Sequence, residues 1–404
     1  MPSQVRSRRV HYISGFDPRG ARFYHRLYRT EAAKQSAHSG ASHRVSARER
    51  LTPTVSAWKI QSQWAEQTVE TDYHFMEWTD LIRQHWDERL RLLLRSVPVY
   101  LHYLAFGGFN RVAKVSKNAF YTAIFPLLYI VAFTLAALGI LSLLGIGIWK
   151  ASGSALLTGG LLLCFGLGLG ALGVRLAEKI GVTWLLRTCV FLGTWGTRRP
   201  PELDQRASEI AEHILAEQRE RPREEVLIVG HSVGSMLAAC VVAKLLQNPQ
   251  ADTLLCSLRL VTLGQCIPYL GVMPGAASFR EELRALANDP RIPWTDFTAP
   301  PDPLCFFQVH PIQASGIPCS TPERPRQVSV RVFPMFTAAT YARIRRNKLR
   351  IHFQYLMASE LPSDYDYFRL TAGPGSLADH SLSPEPLGTT PASSFLPPRN
   401  LGHC

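Results

Sequence analysis

The stretch VLIVGHSVGSML, residues 226–237, decides the fold class. Its first four residues are β-branched or leucine, which is typical of a buried strand. The residues after Gly234 are mostly apolar and rich in alanine, as in a buried helix. Between the two lies a G-x-S-x-G pentapeptide, and a serine on such a strand-to-helix turn is exposed at the top of a sheet, close to helix N–H groups. Ser232 is therefore the candidate nucleophile.

The composition indicates a membrane protein. Of the 404 residues, 46% are hydrophobic and only 19% are charged, and the formal net charge is +13. A soluble domain has about 25% charged residues, so we expect part of the chain to lie in lipid. A basic balance suits either nucleic acid or an anionic membrane surface. Because no nucleic-acid motif is present, we predict a membrane and no nucleic-acid partner.

The eight cysteines are scattered along the chain, without a C-x-x-C pair or a Cys/His cluster in the sequence. This spacing indicates neither a zinc site nor a disulfide framework. We therefore expect reduced thiols, no metal and no cofactor.

Two uncharged segments follow each other in the middle of the chain. No charged residue lies within 118–149 or within 151–174. A helix needs about 20 apolar residues to cross the hydrocarbon core. We therefore predict a hairpin of two transmembrane helices near 121–148 and 154–174.

The charges around this hairpin predict its orientation. Lys150 alone lies in the turn, whereas basic residues cluster at both outer ends: Arg111, Lys114, Lys117, Arg175, Lys179 and Arg187. Positive charge stays on the cytoplasmic side, and the N-terminus has no apolar stretch of signal-peptide length. We expect both termini and the soluble domain to be cytoplasmic, with a multi-pass anchor of two helices.

The hairpin divides the chain into four parts: 1–104, the membrane segment 105–198 with interfacial flanks, 199–370, and a tail at 371–404 that we expect to be disordered. Besides the strand before Ser232, patterns predict strands at 9–14, 56–64, 257–264, 291–299, 303–309 and 327–336. They predict helices within 20–50 and 78–104 and at 202–219, 233–247 and 351–361, and the mixed apolar and basic segment 176–197 is expected to lie at the membrane interface. Strands that alternate with helices predict an α/β fold with a mostly parallel sheet.

The strand, the G-H-S-x-G turn and the helix resemble the α/β-hydrolase fold, and the downstream segments loosely resemble its class 3 lipase branch. The resemblance implies a triad in the chain order Ser, Asp or Glu, His. The acid is expected in the loop after the second strand past the nucleophile. That loop, TAPPDPL, contains Asp302, and Asp296, inside the preceding strand, is the runner-up. His231 is expected to be a structural neighbour of Ser232, because the turn directs it away from the hydroxyl.

The remaining site residues also follow from this resemblance. The triad histidine is expected at His352, in LRIHFQYL, where H-x-x-Y is similar to the histidine segment of class 3 lipases. His310 and His380 remain alternatives. The oxyanion donors are expected to be the N–H of Val233, which follows the nucleophile, and the N–H of Phe16, after the first strand.

The stretches ISGFDPRGARFYHRLY and HFQYL are also similar to uncharacterised bacterial membrane proteins with hydrolase-like domains. Together these likenesses imply a membrane-anchored serine hydrolase that acts on small-molecule or lipid esters, with membrane lipids as partners. The alternative is a non-catalytic scaffold of the same fold that binds a partner at the membrane. Whether Ser232, His352 and an acid converge distinguishes the two, and the oligomeric state stays open.

Overall fold

A computed structural model describes residues 4–318 and 324–377. Nine strands lie in this part of the chain: β1 Ser7–Ile13, β2 Ala41–Val45, β3 Glu49–Thr52, β4 Val55–Trp64, β5 Gln67–Met76, β6 Glu225–His231, β7 Leu258–Leu263, β8 Trp294–Thr298 and β9 Arg326–Ser329. They form a single sheet in the order β2-β4-β5-β1-β6-β7-β8-β9, with β3 paired to β4.

The sheet is mixed but mostly parallel. Strand β1 lies between β5 and β6 and pairs with both in parallel. The parallel run continues through β7, β8 and β9. Antiparallel pairing is confined to one edge, where β4 pairs with β2, β3 and β5. Because β5 precedes the apolar hairpin and β6 follows it, the hairpin is an insertion between two segments that share one sheet.

Sixteen α-helices lie in the same described residues. They are α1 Gly20–Ser39, α2 Thr79–Gln84, α3 Arg89–Ala105, α4 Gly108–Val115, α5 Lys117–Ser152, α6 Ala155–Lys179, α7 Val182–Thr197, α8 Pro201–Glu220, α9 Gly234–Leu246, α10 Asp252–Ser257, α11 Ile267–Gly271, α12 Ala277–Asn288, α13 Pro311–Ala314, α14 Ala338–Ile344, α15 Lys348–His352 and α16 Tyr367–Ala372.

Hydrophobic cores lie on both faces of the sheet. Ile228 of β6 packs into one core with α8, α9 and α12, whereas Leu227 packs into the other with aromatic residues of α1 and α16. All seven residues of β6 are buried. A strand covered by helices on both faces has a continuous apolar run, which is why 226–229 shows no alternation of apolar and polar residues.

The two central helices, α5 and α6, contain 36 and 25 residues, and both are long and apolar enough to span a membrane. At about 1.5 Å per residue, α5 is about 54 Å long. Their most apolar windows are not buried inside the protein. Leu143 and Leu156, for example, are 73% and 89% exposed. α5 extends beyond its predicted span, 121–148, at both ends. α6 extends beyond its predicted span, 154–174, at its C-terminal end.

Two strand predictions differ from the structure. The segment 303–309 forms turns instead of a strand, and the loop there is held by side-chain contacts such as the N–H of Leu304 bonding to Asp302 (3.0 Å). The strand predicted at 327–336 ends at Ser329, and a 3-10 turn with Pro334 follows it. Proline removes a donor that a ladder needs. The strands β2, β3 and β5 were not predicted.

Two helix predictions also need correction. The segment 78–104 is interrupted between α2 and α3, where buried Asp87 forms ion pairs with Arg91 and Arg95 of α3. The helix predicted at 351–361 ends as α15 at His352. A short 3-10 turn, Gln354–Leu356, follows. The side-chain amide of Gln354 then donates to the main-chain carbonyls of Met357 and Ala358, within the segment where the helix was predicted to continue.

Candidate active site

Ser232 lies on the turn between β6 and α9 with a backbone φ of 56°. Non-glycine residues adopt this left-handed conformation only where the surroundings enforce it. The Ser232 N–H donates to the carbonyl of Leu263 on β7 (2.9 Å), and its own carbonyl accepts the hydroxyl of Ser235 (2.5 Å). The turn is therefore fixed on both sides, and Ser232 remains 7% exposed.

Two glycines let the backbone come close to this turn. A Cβ on Gly234 would overlap the carbonyl oxygens of Ile13 and Ser14 at the end of β1. A Cβ on Gly15 would lie 3.0 Å from the Cβ of Ser232 and 3.5 Å from its Oγ. The loop after β1, in which an oxyanion donor is expected, therefore passes directly beside the serine.

His352 and Asp302 form a buried pair. Nδ1 of His352 lies 2.8 Å from Oδ2 of Asp302, and both side chains are at most 1% exposed. Asp302 follows β8 by four residues and His352 ends α15, so the loops after two neighbouring parallel strands bring them together. With Asp302 ionised, Nδ1–H donates, and the other ring nitrogen is the one left for a proton acceptor role.

The charge of Asp302 is stabilised despite its burial. Burial by itself raises the pKa of this carboxyl, but the charge of His352 and hydrogen bonds hold the pKa below its ordinary value. Oδ2 accepts the Tyr355 hydroxyl at 3.0 Å, and Oδ1 accepts the N–H of Leu304 at 3.0 Å. Asp302 is therefore a carboxylate at neutral pH, the form that orients a histidine.

Asp296, the runner-up acid, lies within β8 and is fully buried. Its Oδ1 accepts the hydroxyl of Thr262 (2.6 Å), and Oδ2 has no hydrogen-bond partner among the described residues. Burial raises the pKa of Asp296 to about 7. Because Asp296 has no bond to His352, the structure pairs the histidine with Asp302 instead.

No hydrogen bond joins Ser232 to His352 among the described residues. Nε2 of His352 is buried and unpartnered among the described residues. The ring of His231, the residue before Ser232, lies 4.8 Å from the ring of His352. Burial raises the pKa of the Cys266 thiol, and a hydrogen bond with Ser232 opposes that rise. Serine–histidine bonds are often loose without a bound ligand and tighten in the reacting complex.

The two expected oxyanion donors flank the serine. Val233 is the N-cap of α9, and Phe16 follows Gly15 in the neighbouring loop. Neither main-chain N–H donates a hydrogen bond to any residue that the structure describes. The Phe16 carbonyl accepts the indole N–H of Trp184 (3.1 Å), and its ring stacks on Phe191. This loop is therefore fixed in position, whereas the main-chain N–H of Phe16 has no acceptor among the described residues.

His310, one of the two alternative histidines, does not join this group. His310 is the N-cap of α13, where its Nδ1 accepts the N–H of Gln313 (3.3 Å). His380 lies outside the described residues, as does the predicted disordered tail beyond residue 377.

Ser232 and Val233 line an apolar cavity of about 40 Å³. Its walls come mainly from α3, α4, α7 and the base of α5: Tyr100, Tyr103, Phe109, Thr122, Ala123, Trp184, Leu185, Thr188, Cys189 and Leu192. A second cavity of about 350 Å³ shares Thr122, Trp184, Leu185 and Leu304 with the first. The shared residues place the two cavities side by side, and we call the pair the apolar path.

The base of the hairpin is bonded to the loops of the site. The Thr122 hydroxyl of α5 donates to the carbonyl of Pro303, next to Asp302, at 2.7 Å. Tyr269 of α11 donates to the carbonyl of Ala119 at 2.7 Å. Trp184 of α7, the helix after the hairpin, donates its indole N–H to the carbonyl of Phe16. The hairpin is therefore part of the structure that shapes the site.

Sequence reasoning missed several of these contributors. Tyr355 had a signal, because it is the last residue of the H-x-x-Y pattern. Cys266 and Trp184 had no such signal. They contact Ser232 and Phe16 through tertiary packing, and no local sequence pattern marks residues of this kind. Comparison of the chain with protein-family models, with curated proteins and with solved structures gives no match.

Proposed function

We propose that the protein is a membrane-anchored serine hydrolase of the α/β-hydrolase type that acts on ester substrates. The observation that carries this proposal is the buried 2.8 Å hydrogen bond between His352 and Asp302. The ring of His352 lies 4.8 Å from that of His231, the residue directly before Ser232, which has a positive φ. A histidine oriented by a carboxylate beside a strained serine is the arrangement that activates a hydroxyl nucleophile.

The positions in the sheet support the assignment. Ser232 follows β6, Asp302 follows β8, His352 comes after β9, and the Gly15 loop follows β1. These strands run in parallel, so their carboxyl ends lie along one edge of the sheet. In open α/β sheets this edge is where ligands bind. The chain order Ser, Asp, His is also the order of that fold.

The proposed chemistry is a two-step acyl transfer. Nε2 of His352 accepts the hydroxyl proton of Ser232 as Oγ attacks the ester carbonyl carbon. The N–H groups of Val233 and Phe16 donate to the oxygen that becomes negative. His352 then gives its proton to the departing alcohol, which leaves an acyl-Ser232 intermediate. Water, deprotonated by His352, hydrolyses that intermediate and restores the serine.

The apolar path supports a substrate with an acyl chain. The second cavity, which does not include Ser232, is lined by exposed apolar residues at and around the base of the hairpin. They are Tyr121, Phe125, Ile180 and Leu349, which are 62%, 41%, 51% and 39% exposed. Such a rim suits lipid or a lipid-like ester more than water. An acyl-ester that enters from the membrane surface would place its carbonyl at Ser232, at the inner end of the path.

The charge pattern supports a cytoplasmic location for this domain. Basic side chains lie at the outer ends of the hairpin, and positive residues stay on the cytoplasmic side. A reporter fused after Cys404 should therefore behave as cytoplasmic, and a periplasmic or extracellular signal would contradict this orientation.

A fluorophosphonate probe tests the catalytic assignment. We expect the detergent-solubilised full-length protein to be labelled, and the label to be lost in Ser232→Ala and strongly reduced in His352→Ala. Ser208→Ala, at a partly exposed position of α8, is the matched control and should label like the wild type. A folded wild-type protein without Ser232-dependent labelling would reject the proposal and favour the non-catalytic scaffold.

A further inference from the structure

Three histidines from three different elements meet beneath α8, away from Ser232. His11 on β1 and His74 on β5 are direct neighbours in the parallel pairing of the two strands. His213 comes from α8, which covers this face of the sheet. One ring nitrogen from each of the three residues lies within 4.8 Å of the other two.

The polar atoms of this cluster are incompletely bonded. Nε2 of His213 lies 3.3 Å from Nδ1 of His74. His11 is completely buried, and neither of its ring nitrogens has a hydrogen-bond partner among the described residues. Buried polar groups are almost always satisfied, so an imidazole with two unpartnered nitrogens that adjoins two others needs an explanation. A ligand that accepts nitrogen lone pairs would provide one.

The protonation state and the spacing suit a metal ion. Burial lowers the pKa of His11 and His213, and it lowers the pKa of His74 to about 3. The three rings are therefore neutral at physiological pH, which is the form that binds metals. Zn–N bonds of about 2.0–2.1 Å in a tetrahedral site put ligand nitrogens about 3.3 Å apart. The His74–His213 pair already has this separation, and since the three nitrogens lie within 4.8 Å of one another, His11 has to approach by at most about 1.5 Å.

The charges around the cluster are balanced. Arg9 lies 3.4 Å from a carboxylate oxygen of Asp72 and 3.6 Å from one of Glu217. Arg223 pairs with the same Asp72 oxygen at 2.7 Å. Two guanidinium groups therefore face two carboxylates, and their mutual neutralisation lessens the repulsion that Arg9 alone would exert on a cation. The carboxylates also supply negative charge close to the half-buried side of the cluster, at His213.

We propose that His11, His74 and His213 bind one divalent transition-metal ion, with Zn²⁺ as the chemically favoured occupant. Three imidazoles leave a fourth position for water, and His213, the least buried ligand, marks the side from which the ion enters. The metal would connect α8 to the two strands β1 and β5. The site is independent of the proposed hydrolase chemistry, because its ligands are not members of the Ser232 group.

Zinc binding by the full-length protein tests the proposal. The protein is purified in detergent without a histidine tag, stripped with a chelator, and titrated with Zn²⁺ by calorimetry. We expect one site per chain and an apparent Tm that rises when zinc is added. Co²⁺ should give the visible absorption bands of a tetrahedral site with nitrogen ligands. These three readouts detect metal binding directly and do not depend on any enzymatic activity.

His213→Ala is the decisive variant, because this side chain is partly exposed and its loss should leave the fold intact. We expect its Zn²⁺ affinity to fall at least tenfold and its zinc-dependent rise in Tm to disappear. His25→Ala, a half-buried histidine on α1 outside the cluster, is the matched control and should bind like the wild type. Absence of stoichiometric zinc binding by the wild type would overturn the proposal. Unchanged binding by a His213→Ala protein with native circular dichroism would overturn it as well.

Discussion

His231 and His352 are joined by a hydrogen bond of 3.0 Å between the Nε2 of His231 and the main-chain carbonyl of His352. Burial lowers the pKa of His231 to about 3, so its ring is neutral at physiological pH and Nε2 carries the donated proton. The residue before the proposed nucleophile thus holds the main chain of the proposed base. This contact gives a structural reason for histidine in G-H-S-x-G.

The first prediction concerns this bond. His231→Ala should lower the rate of fluorophosphonate labelling by about fivefold, because a lost hydrogen bond of about 1 kcal/mol lets the His352 segment shift. His231→Gln, which can donate from its side-chain amide, should recover most of the rate. Equal rates for the wild type and His231→Ala would show that the contact does not position His352.

The second prediction separates the two candidate acids. Asp302→Asn should reduce ester hydrolysis by about 10³–10⁴-fold, because the histidine loses the carboxylate that sets its tautomer. Asp296→Asn should stay within about tenfold of the wild type, since Asp296 has no bond to His352. Initial rates with a soluble p-nitrophenyl ester measure both. The reverse ranking would make Asp296 the catalytic acid.

The third prediction concerns the pH dependence of stability. The pKa of Asp296 is about 7 in the folded protein, against about 3.9 in an unfolded chain. Between these values the unfolded state releases a proton that the folded state keeps, so stability falls as pH rises, by up to ~1.4 kcal/mol per pH unit. Above pH 7 this contribution is lost and changes no further.

Thermal unfolding from pH 4 to pH 8 measures this effect. The wild type should lose apparent Tm relative to Asp296→Asn over this range, because asparagine does not ionise. Parallel pH profiles for the two proteins would contradict the buried, protonated state of Asp296.

The fourth prediction concerns the close approach at Gly15. Gly15→Ala would place a methyl group 3.0 Å from the Cβ of Ser232 and next to its hydroxyl. We expect labelling and hydrolysis to fall by more than tenfold with a smaller loss of apparent Tm. Gly375→Ala, where a Cβ meets no atom within 4 Å, is the control. Full activity in Gly15→Ala would place the oxyanion loop elsewhere.

The fifth prediction concerns the apolar path. Leu304 lines both cavities, so Leu304→Trp should narrow the passage between them. We expect kcat/KM for a long-chain p-nitrophenyl ester to fall at least tenfold more than kcat/KM for the acetate. Leu51→Trp, at a 44% exposed position on the edge strand β3, should leave kcat/KM unchanged for both esters. An equal loss for both esters would argue against this route for the acyl chain.

Local sequence patterns were informative where one element decides the outcome. The strand before Ser232, the helix after it and the two apolar helices each depend on residues close together in the chain. The predictions were wrong at 303–309 and 351–361, where long-range contacts replace regular structure. The antiparallel edge β2–β5 was missed in part because strands half exposed to solvent carry weaker apolar signals than β6.

The sequence by itself determined the α/β class, the strand–serine–helix turn and the two helices long enough to span a membrane, because hydrophobic periodicity and glycine placement act over a few residues. Only the tertiary structure decided that His352 pairs with Asp302, that Trp184 holds Phe16, and that His11, His74 and His213 meet under α8. These groups lie tens to hundreds of residues apart, and the order of parallel strands and the packing of helices on them bring their side chains together.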